Sequence, residues 1–228
     1  MGVPEQSILN KDMPGKKKDD ARRSRPDLGV NREDLTPAKF VAGQPLEDAL
    51  VASGDFSTQM LQQVIVRHSL IEGVSFAQAQ LNSVRLNDAR LIRCDLSNAI
   101  VCGLEARRVE FIDCRLIGIK AVECRMEDVL LERCDARYAQ FQSGGLRTSE
   151  FVDTQFQEAD FRAANLANTL WIRSALSHAD LTGAKLTGAD LCGAATEGML
   201  IGAADLSGAI VSPSQAMEFA RLLGLIIR

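Results

Sequence analysis

Hydrophobic positions along most of this chain recur every five residues. Counting from Phe56, the series begins Phe56, Leu61, Val66, Ile71, Phe76, Leu81, Leu86, Leu91, Leu96 and ends Leu176, Leu181, Leu186, Leu191, Thr196, Ile201, Leu206, Val211. Two places before these positions stand small residues: Ala79, Val84, Ala89, Cys94, Ala99, Val109, Cys114, Cys124, Val129, Cys134 and Ala139. A period of five fits neither a helix at 3.6 nor a simple strand at 2. One large and one small apolar residue per five suits a coil with short, flat sides, two residues inward and three outward. A short internal repeat fixes the architecture ahead of any other signal.

The clearest units are Ala179-Asp180-Leu181-Thr182-Gly183, Ala184-Lys185-Leu186-Thr187-Gly188 and Ala189-Asp190-Leu191-Cys192-Gly193. They resemble the A(D/N)LXX unit of the pentapeptide-repeat family, and the register holds without a slip from Gly54 to Val211. The resemblance implies an all-β solenoid: a right-handed quadrilateral β-helix of about eight coils, four units per coil, with residues twenty apart stacked. Coils spaced about 4.8 Å apart give a rod on the order of 40 Å long. Each coil then buries its core only against its neighbours.

Several middle units depart from the pattern. Ala106, Ala121 and Ala136 take slots that elsewhere hold Leu or Phe, and the residues two places back are Leu104, Ile119 and Cys134. In the first two, large and small have exchanged places, which conserves inward volume. The Ala136 coil lacks that exchange and is expected to be the loosest, with Ser143-Gly144-Gly145 a second weak point.

The ends differ from the middle. Residues 1–44 read as a disordered polar tail, with Lys16-Lys17-Lys18, Asp19-Asp20 and Arg22-Arg23-Ser24-Arg25-Pro26; over residues 1–53 acids and bases balance at nine each. Such a segment buries too little apolar surface to fold alone. Thr36-Pro37 and Pro45 to Ala52 each read as a short helical turn, and 45–53 as an N-terminal cap or first partial coil. After Val211, Ser212-Pro213-Ser214-Gln215 reads as a capping box that opens a helix to about Leu223, with Gly224 at C′. Residues 212–228 therefore form a C-terminal capping α-helix and tail, with Leu225-Ile226-Ile227 as a short apolar strand.

Composition narrows the function. The 228 residues carry a net charge of −4 and are 46% hydrophobic. No run of about 18 apolar residues exists to span a membrane, and no apolar signal core opens the chain. Gln6 replaces the Ser or Thr that myristoylation at Gly2 requires. The expectation is a cytoplasmic protein without membrane or direct nucleic-acid contact. No nucleophile elbow, phosphate loop or HExxH motif appears, and His68 and His178 fall at outward positions. The expectation is no catalysis, no cofactor and no metal. The six cysteines lack CxxC spacing. On the four-sided coil Cys94, Cys114 and Cys134 stack on one inner wall and Cys124 lines the opposite one, as small apolar filling.

Sorting outward residues by side singles out one face, centred on Ile71, Leu91, Phe111, Leu131, Phe151, Trp171 and Leu191. Its flanking positions supply Ile92, Ile112, Leu130, Val152, Leu170 and Ile172, the candidate partner-binding residues, since a contiguous apolar patch signals contact. At the following corner Arg93, Asp113, Arg133, Asp153 and Arg173 alternate in charge, an ion-pair ladder worth at most about 1 kcal/mol per pair. The reading is a protein-interaction scaffold with an unidentified protein partner. The alternative drawn from the family is a DNA-mimicking modulator of DNA gyrase, which calls for a continuous acidic field. Residues 54–211 hold 20 acidic and 15 basic residues, which disfavours it. Met217, Phe219, Leu222 and Leu223 cannot all face one coil end, so they are the candidates for a homodimer contact.

Overall fold

The computed structural model describes residues 23–28, 35–41, 43–222 and 225–226. Over them the chain winds as a right-handed, four-sided parallel β-helix of about eight coils, closed by one C-terminal helix. Residues twenty apart stack as parallel partners: Leu91 on Phe111, Leu131 on Phe151, Phe151 on Trp171. The Lys16–Lys18 and Asp19–Asp20 runs, Leu223, Gly224 and Ile227 lie outside the described residues.

The five-residue period exists because the chain turns a corner at each unit. Among the described residues, 23 non-glycine positions have positive φ, and each falls two residues after a central slot of the five-residue register, from Asp48 to His178. Left-handed backbone costs an L-residue roughly 1–2 kcal/mol. Hydrogen bonds to the next coil offset that cost: the N–H groups of Thr58, Asn98 and Ala163 donate to the carbonyls of Ala77, Ile117 and Thr182 at 2.8, 2.7 and 3.0 Å. The acid of the repeat unit has a part in the same turn. Oδ1 of Asp55, Asp95, Asp160 and Asp180 accepts the N–H two residues on at 2.9, 2.8, 3.0 and 3.0 Å, an Asx-turn just before the corner.

Inside, the large residues form continuous columns. Phe151, Phe156, Phe161 and Trp171 make one aromatic cluster with ring centroids 4.2–5.8 Å apart, and the Trp171 indole N–H donates to Thr169 Oγ1 at 3.0 Å. An internal void of about 50 Å³ is lined by residues that include Val64, Val84, Val101, Leu131 and Phe141. Leu131 and Phe141 flank Ala136 in the register, so the loose packing expected at that coil belongs to a longer loose stretch that begins several coils earlier. Gly144 occupies a small inward slot with no room for more. A Cβ there would meet Cys124 Sγ at 2.8 Å and the Phe141 carbonyl at 2.9 Å.

Both ends depart from expectation. Thr36-Pro37 is not a helical turn but a strand paired with Ala49-Leu50. Leu46–Glu47 and Ala49–Val51 are likewise strands, paired with the next coil at Val66–Arg67 and Leu70–Ile71. Phe40 is buried against Phe56 and Phe76, with centroids 5.1 and 5.7 Å away. A wholly disordered 1–44 therefore does not hold for the stretch 35–41. Apolar side chains scattered through a polar segment were enough to seat it, although no periodicity marked them.

At the far end the register loosens. Ile172 pairs with Gly193 across a bulge, and Ala203–Leu206 forms a 3-10 turn where a corner was expected. The helix runs Pro213–Leu222. Ser212 Oγ accepts the Gln215 N–H at 3.3 Å and Gln215 Oε1 accepts the Ser212 N–H at 2.9 Å, the reciprocal capping box. Leu225 and Ile226 form no strand and stand exposed.

Gly144→Ala is expected to destabilise the fold by about 1–3 kcal/mol through overpacking. Gly145→Ala, at a site whose Cβ would meet only one atom within 4 Å, is the control. Equal denaturant midpoints for the two variants would contradict this account of the slot.

Candidate interaction surface

The face singled out by sequence is one wall of the main sheet. Parallel pairing places Leu70, Arg90, Glu110, Leu130, Glu150, Leu170 and Asp190 in one outward column. Glu72, Ile92, Ile112, Glu132, Val152 and Ile172 form the parallel column beside it. The structure brings all six candidate partner residues onto this wall. Leu130 and Val152 are buried, while Ile92, Ile112, Leu170 and Ile172 are half-buried.

Part of the cover comes from the chain's own N-terminal region. Residues 23–28 lie against this wall, so the tail departs from disorder here too. Arg23 Nη2 donates to Glu110 Oε1 at 2.8 Å, and Arg23 Nε lies 3.4 Å from Glu150 Oε2. The Asp27 N–H donates to Asp88 Oδ1 at 3.0 Å. Sequence reasoning treated Arg23 as one charge in a mixed tail. The signal it lacked was the burial of Glu110 and Glu150, two acids on either side of Leu130 in that column, which need a cation.

Around this wall, charges pair at the coil repeat. Arg133 donates to Asp113 at 2.7 and 3.1 Å, and Arg173 to Asp153 at 2.6 and 2.5 Å. Arg93 turns instead to Glu72, and Arg133 also reaches Glu132, so the ladder is a set of separate pairs. The preceding wall is rich in arginine. Glu105 serves Arg85 and Arg125 at 3.3 and 3.6 Å, and Glu127 serves Arg107 and Arg147 at 4.0 and 3.9 Å. Four arginines to two glutamates interrupt any acidic field.

The C-terminal helix is fixed through one side. Phe219 is buried in the core, and Gln215 Nε2 donates to the carbonyls of Leu191 and Ala194 at 2.8 and 2.9 Å. Met217 is 53% exposed on the other side. The helix includes Leu222, whose side chain lies outside the described residues, as does Leu223. Among the four proposed contact residues the structure thus separates Phe219, which seals the coil, from Met217.

The interior thiols have their own chemistry. Cys94, Cys114 and Cys134 stack on one inner wall, and each Sγ donates to a carbonyl of the adjacent coil: Ile71 at 3.6 Å, Leu91 at 3.3 Å and Phe111 at 3.3 Å. Thr154 and Ser174 continue the column with hydroxyls donating to Leu131 and Phe151, both at 3.0 Å. The slot takes apolar Val74 and Ala194 at the ends of this column and small donors from Cys94 to Ser174. Contact with the next thiol of the stack, together with burial, pushes Cys94 and Cys114 far up, and burial pushes Cys124 up to about 12. All six cysteines are free. Among the described residues no cluster of three or more His, Cys, Asp or Glu is placed to hold a metal, and no helix is long and apolar enough to cross a membrane.

These features define a four-sided solenoid whose walls carry side chains outward. A family model described as a pentapeptide repeat region matches residues 84–161 and 104–201. The chain belongs to the pentapeptide-repeat family. No curated protein matches the sequence. Among solved structures it is similar to QnrB1, a plasmid-mediated fluoroquinolone resistance protein, at 16% identity over 78% of this chain and 99% of that one, with a TM-score of 0.48. It is also similar to HetL, a pentapeptide repeat protein involved in heterocyst differentiation regulation in the cyanobacterium Nostoc, at 17% identity over 71% and 87%, TM-score 0.30. A third, Rfr23 from the cyanobacterium Cyanothece, gives 15% identity over 60% and 91%, TM-score 0.25.

The ion pairs also set a pH dependence. Arg137 and Arg173 hold Asp135 and Asp153 below the ordinary carboxylate value. Burial alone would raise Asp88 and Asp160, but Arg108 with the Asp27 N–H, and Arg162, outweigh it and leave both lowered. Groups lowered in the folded state contribute stability that is complete above their unfolded pKa and is lost as pH falls through the folded values. The melting temperature should be level above about pH 5 and fall below about pH 4. A level profile down to about pH 2 would refute this linkage.

Proposed function

We propose that the protein is a non-catalytic, cofactor-free scaffold that binds another protein through the wall carrying Ile92, Ile112, Leu130, Val152, Leu170 and Ile172. One observation carries this reading: that wall already holds a stretch of polypeptide, residues 23–28, through Arg23 to Glu110 and Glu150 and through the Asp27 N–H to Asp88. A parallel wall offers side chains outward while its backbone groups bond along the solenoid. Recognition therefore falls to apolar residues and paired charges. The cytoplasm is the proposed setting.

Gyrase mimicry is the disfavoured alternative, because acids are paired coil by coil and one wall is rich in arginine. A pull-down from the native host tests the reading. The parent chain should capture a protein that Ile112→Glu, Ile172→Glu fails to capture. In a supercoiling assay the purified chain should inhibit gyrase weakly or not at all. Inhibition at low micromolar concentration, abolished by neutralising surface acids, would reverse the ranking.

Self-association through the C-terminal helix completes the proposal. Met217, Leu225 and Ile226 are exposed beside a buried Phe219, and an isologous two-fold contact would cover them. Light scattering should report a dimer for the parent and a monomer for Met217→Glu, Ile226→Glu. A parent that stays monomeric at every accessible concentration would exclude the contact.

A further inference from the structure

We infer that the wall around Glu110, Leu130 and Glu150 is a docking face for an arginine-bearing peptide of a partner protein, and that residues 23–28 occupy it in cis as a competing strap. The inference rests on the scaffold reading above and supplies its partner chemistry and regulation.

Arg23 is only 8% exposed. Its guanidinium reaches across two coils, with Nη2 donating to Glu110 Oε1 at 2.8 Å and Nε 3.4 Å from Glu150 Oε2. Leu130 stands between the two acids in the same column and is buried. Arg90 Nε donates to the other Glu110 oxygen at 2.6 Å, which fixes that carboxylate in place. Carboxylate, leucine, carboxylate is a pattern that fits arginine: an apolar stem to cover the leucine and a planar, multi-donor head for acids about 10 Å apart along the stack. Lysine has one compact charge and cannot serve both. Asp88, held by Arg108 at 2.7 and 2.5 Å, adds an acceptor for peptide backbone, used here by the Asp27 N–H.

The strap fits this face imperfectly. Among the described residues, Glu150 Oε1 and Arg23 Nε are both buried without a hydrogen-bond partner, and the 3.4 Å between Arg23 Nε and Glu150 Oε2 is longer than a good charge-assisted bond. Buried polar atoms left unpaired are costly. A peptide whose guanidinium meets Glu150 squarely would recover that cost. The tether gives the strap a high effective concentration. An outside peptide therefore binds with its affinity reduced by the fraction of chains whose docking face is open. Poor fit combined with tethering suits an occupant that yields to a better ligand.

The test uses the full-length chain and a fluorescent synthetic peptide of its own residues 21–30. Arg23→Glu places a third acid beside Glu110 and Glu150 and expels the strap. Fluorescence anisotropy should show the peptide binding this variant at least about tenfold more tightly than the parent, the scale of one charge-assisted hydrogen bond. Adding Glu110→Gln and Glu150→Gln should remove the gain, as should replacing the peptide's arginine at position 23 with lysine. Thermal melts accompany each variant, and Arg23→Ala replaces Arg23→Glu where the latter does not fold. Equal peptide affinity for the parent and the opened variant, or binding indifferent to both glutamates, overturns the inference. Capture of a native partner that survives Glu110→Gln, Glu150→Gln would overturn it while leaving the scaffold reading in place.

Discussion

Everything in this structure depends on turning a left-handed corner every five residues. Four such corners close a square of twenty residues, and that closure lets the wall and corner N–H groups find carbonyls in the coil above or below, while others bond within their own unit, as Ala79 N–H does to the Phe76 carbonyl. The corner is held by Gln, Asp, Arg, Asn, Tyr and even Thr, as at Thr58 and Thr148. Most of these residues avoid positive φ elsewhere. They accept it here because their N–H groups are bonded to the next coil and because an Asx-turn often pre-bends the chain one step earlier. Local strain is thus met by a neighbour, and no single coil is stable by itself. The same dependence explains why the ends must be covered and why core defects such as a Cβ at Gly144 spread along the stack.

Those features that depend on period were legible in the sequence. Register, inward and outward sides, the stacking of Cys94, Cys114 and Cys134, and the capping box at Ser212 all follow from spacing or from short local motifs. What spacing does not encode was missed. Phe40 and Arg23 lie outside the repeat, and their positions are set by single contacts with Phe56, Phe76, Glu110 and Glu150. The void that reaches Leu131 and Phe141 beside Ala136 also runs back past Val64 and Val84, an extent that a comparison of single slots does not encode. Arg93 pairs with Glu72 rather than Asp113 because a long side chain reaches diagonally as readily as it reaches the adjacent coil.

Charge on this solenoid is neutralised locally. Stacking at the coil repeat places Arg133 over Asp113 and Arg173 over Asp153, and two glutamates divide four arginines on the adjoining wall. Exposed pairs of this kind add little stability each. Their larger effect is on the far field: pairing at the coil repeat breaks up the excess of 20 acidic over 15 basic residues in 54–211, and salt screens what is left beyond a Debye length of about 8 Å. Long-range steering of a polyelectrolyte partner is weak on such a surface, and recognition is left to short-range contact.

The two ends are closed by different means. At the first coil, Thr36-Pro37 pairs with Ala49-Leu50 and Phe40 fills the open square. Proline on that outer strand cannot donate to a further strand, so edge-to-edge extension is blocked. At the last coil, Gln215 caps the Leu191 and Ala194 carbonyls and Phe219 plugs the core. The Gly54–Asp55 and Met60–Gln62 strands, by contrast, each pair on one side only among the described residues, so their outer edges stay open to another strand. Of the walls, the one holding residues 23–28 combines half-buried apolar positions with two buried acids already paired to a cation.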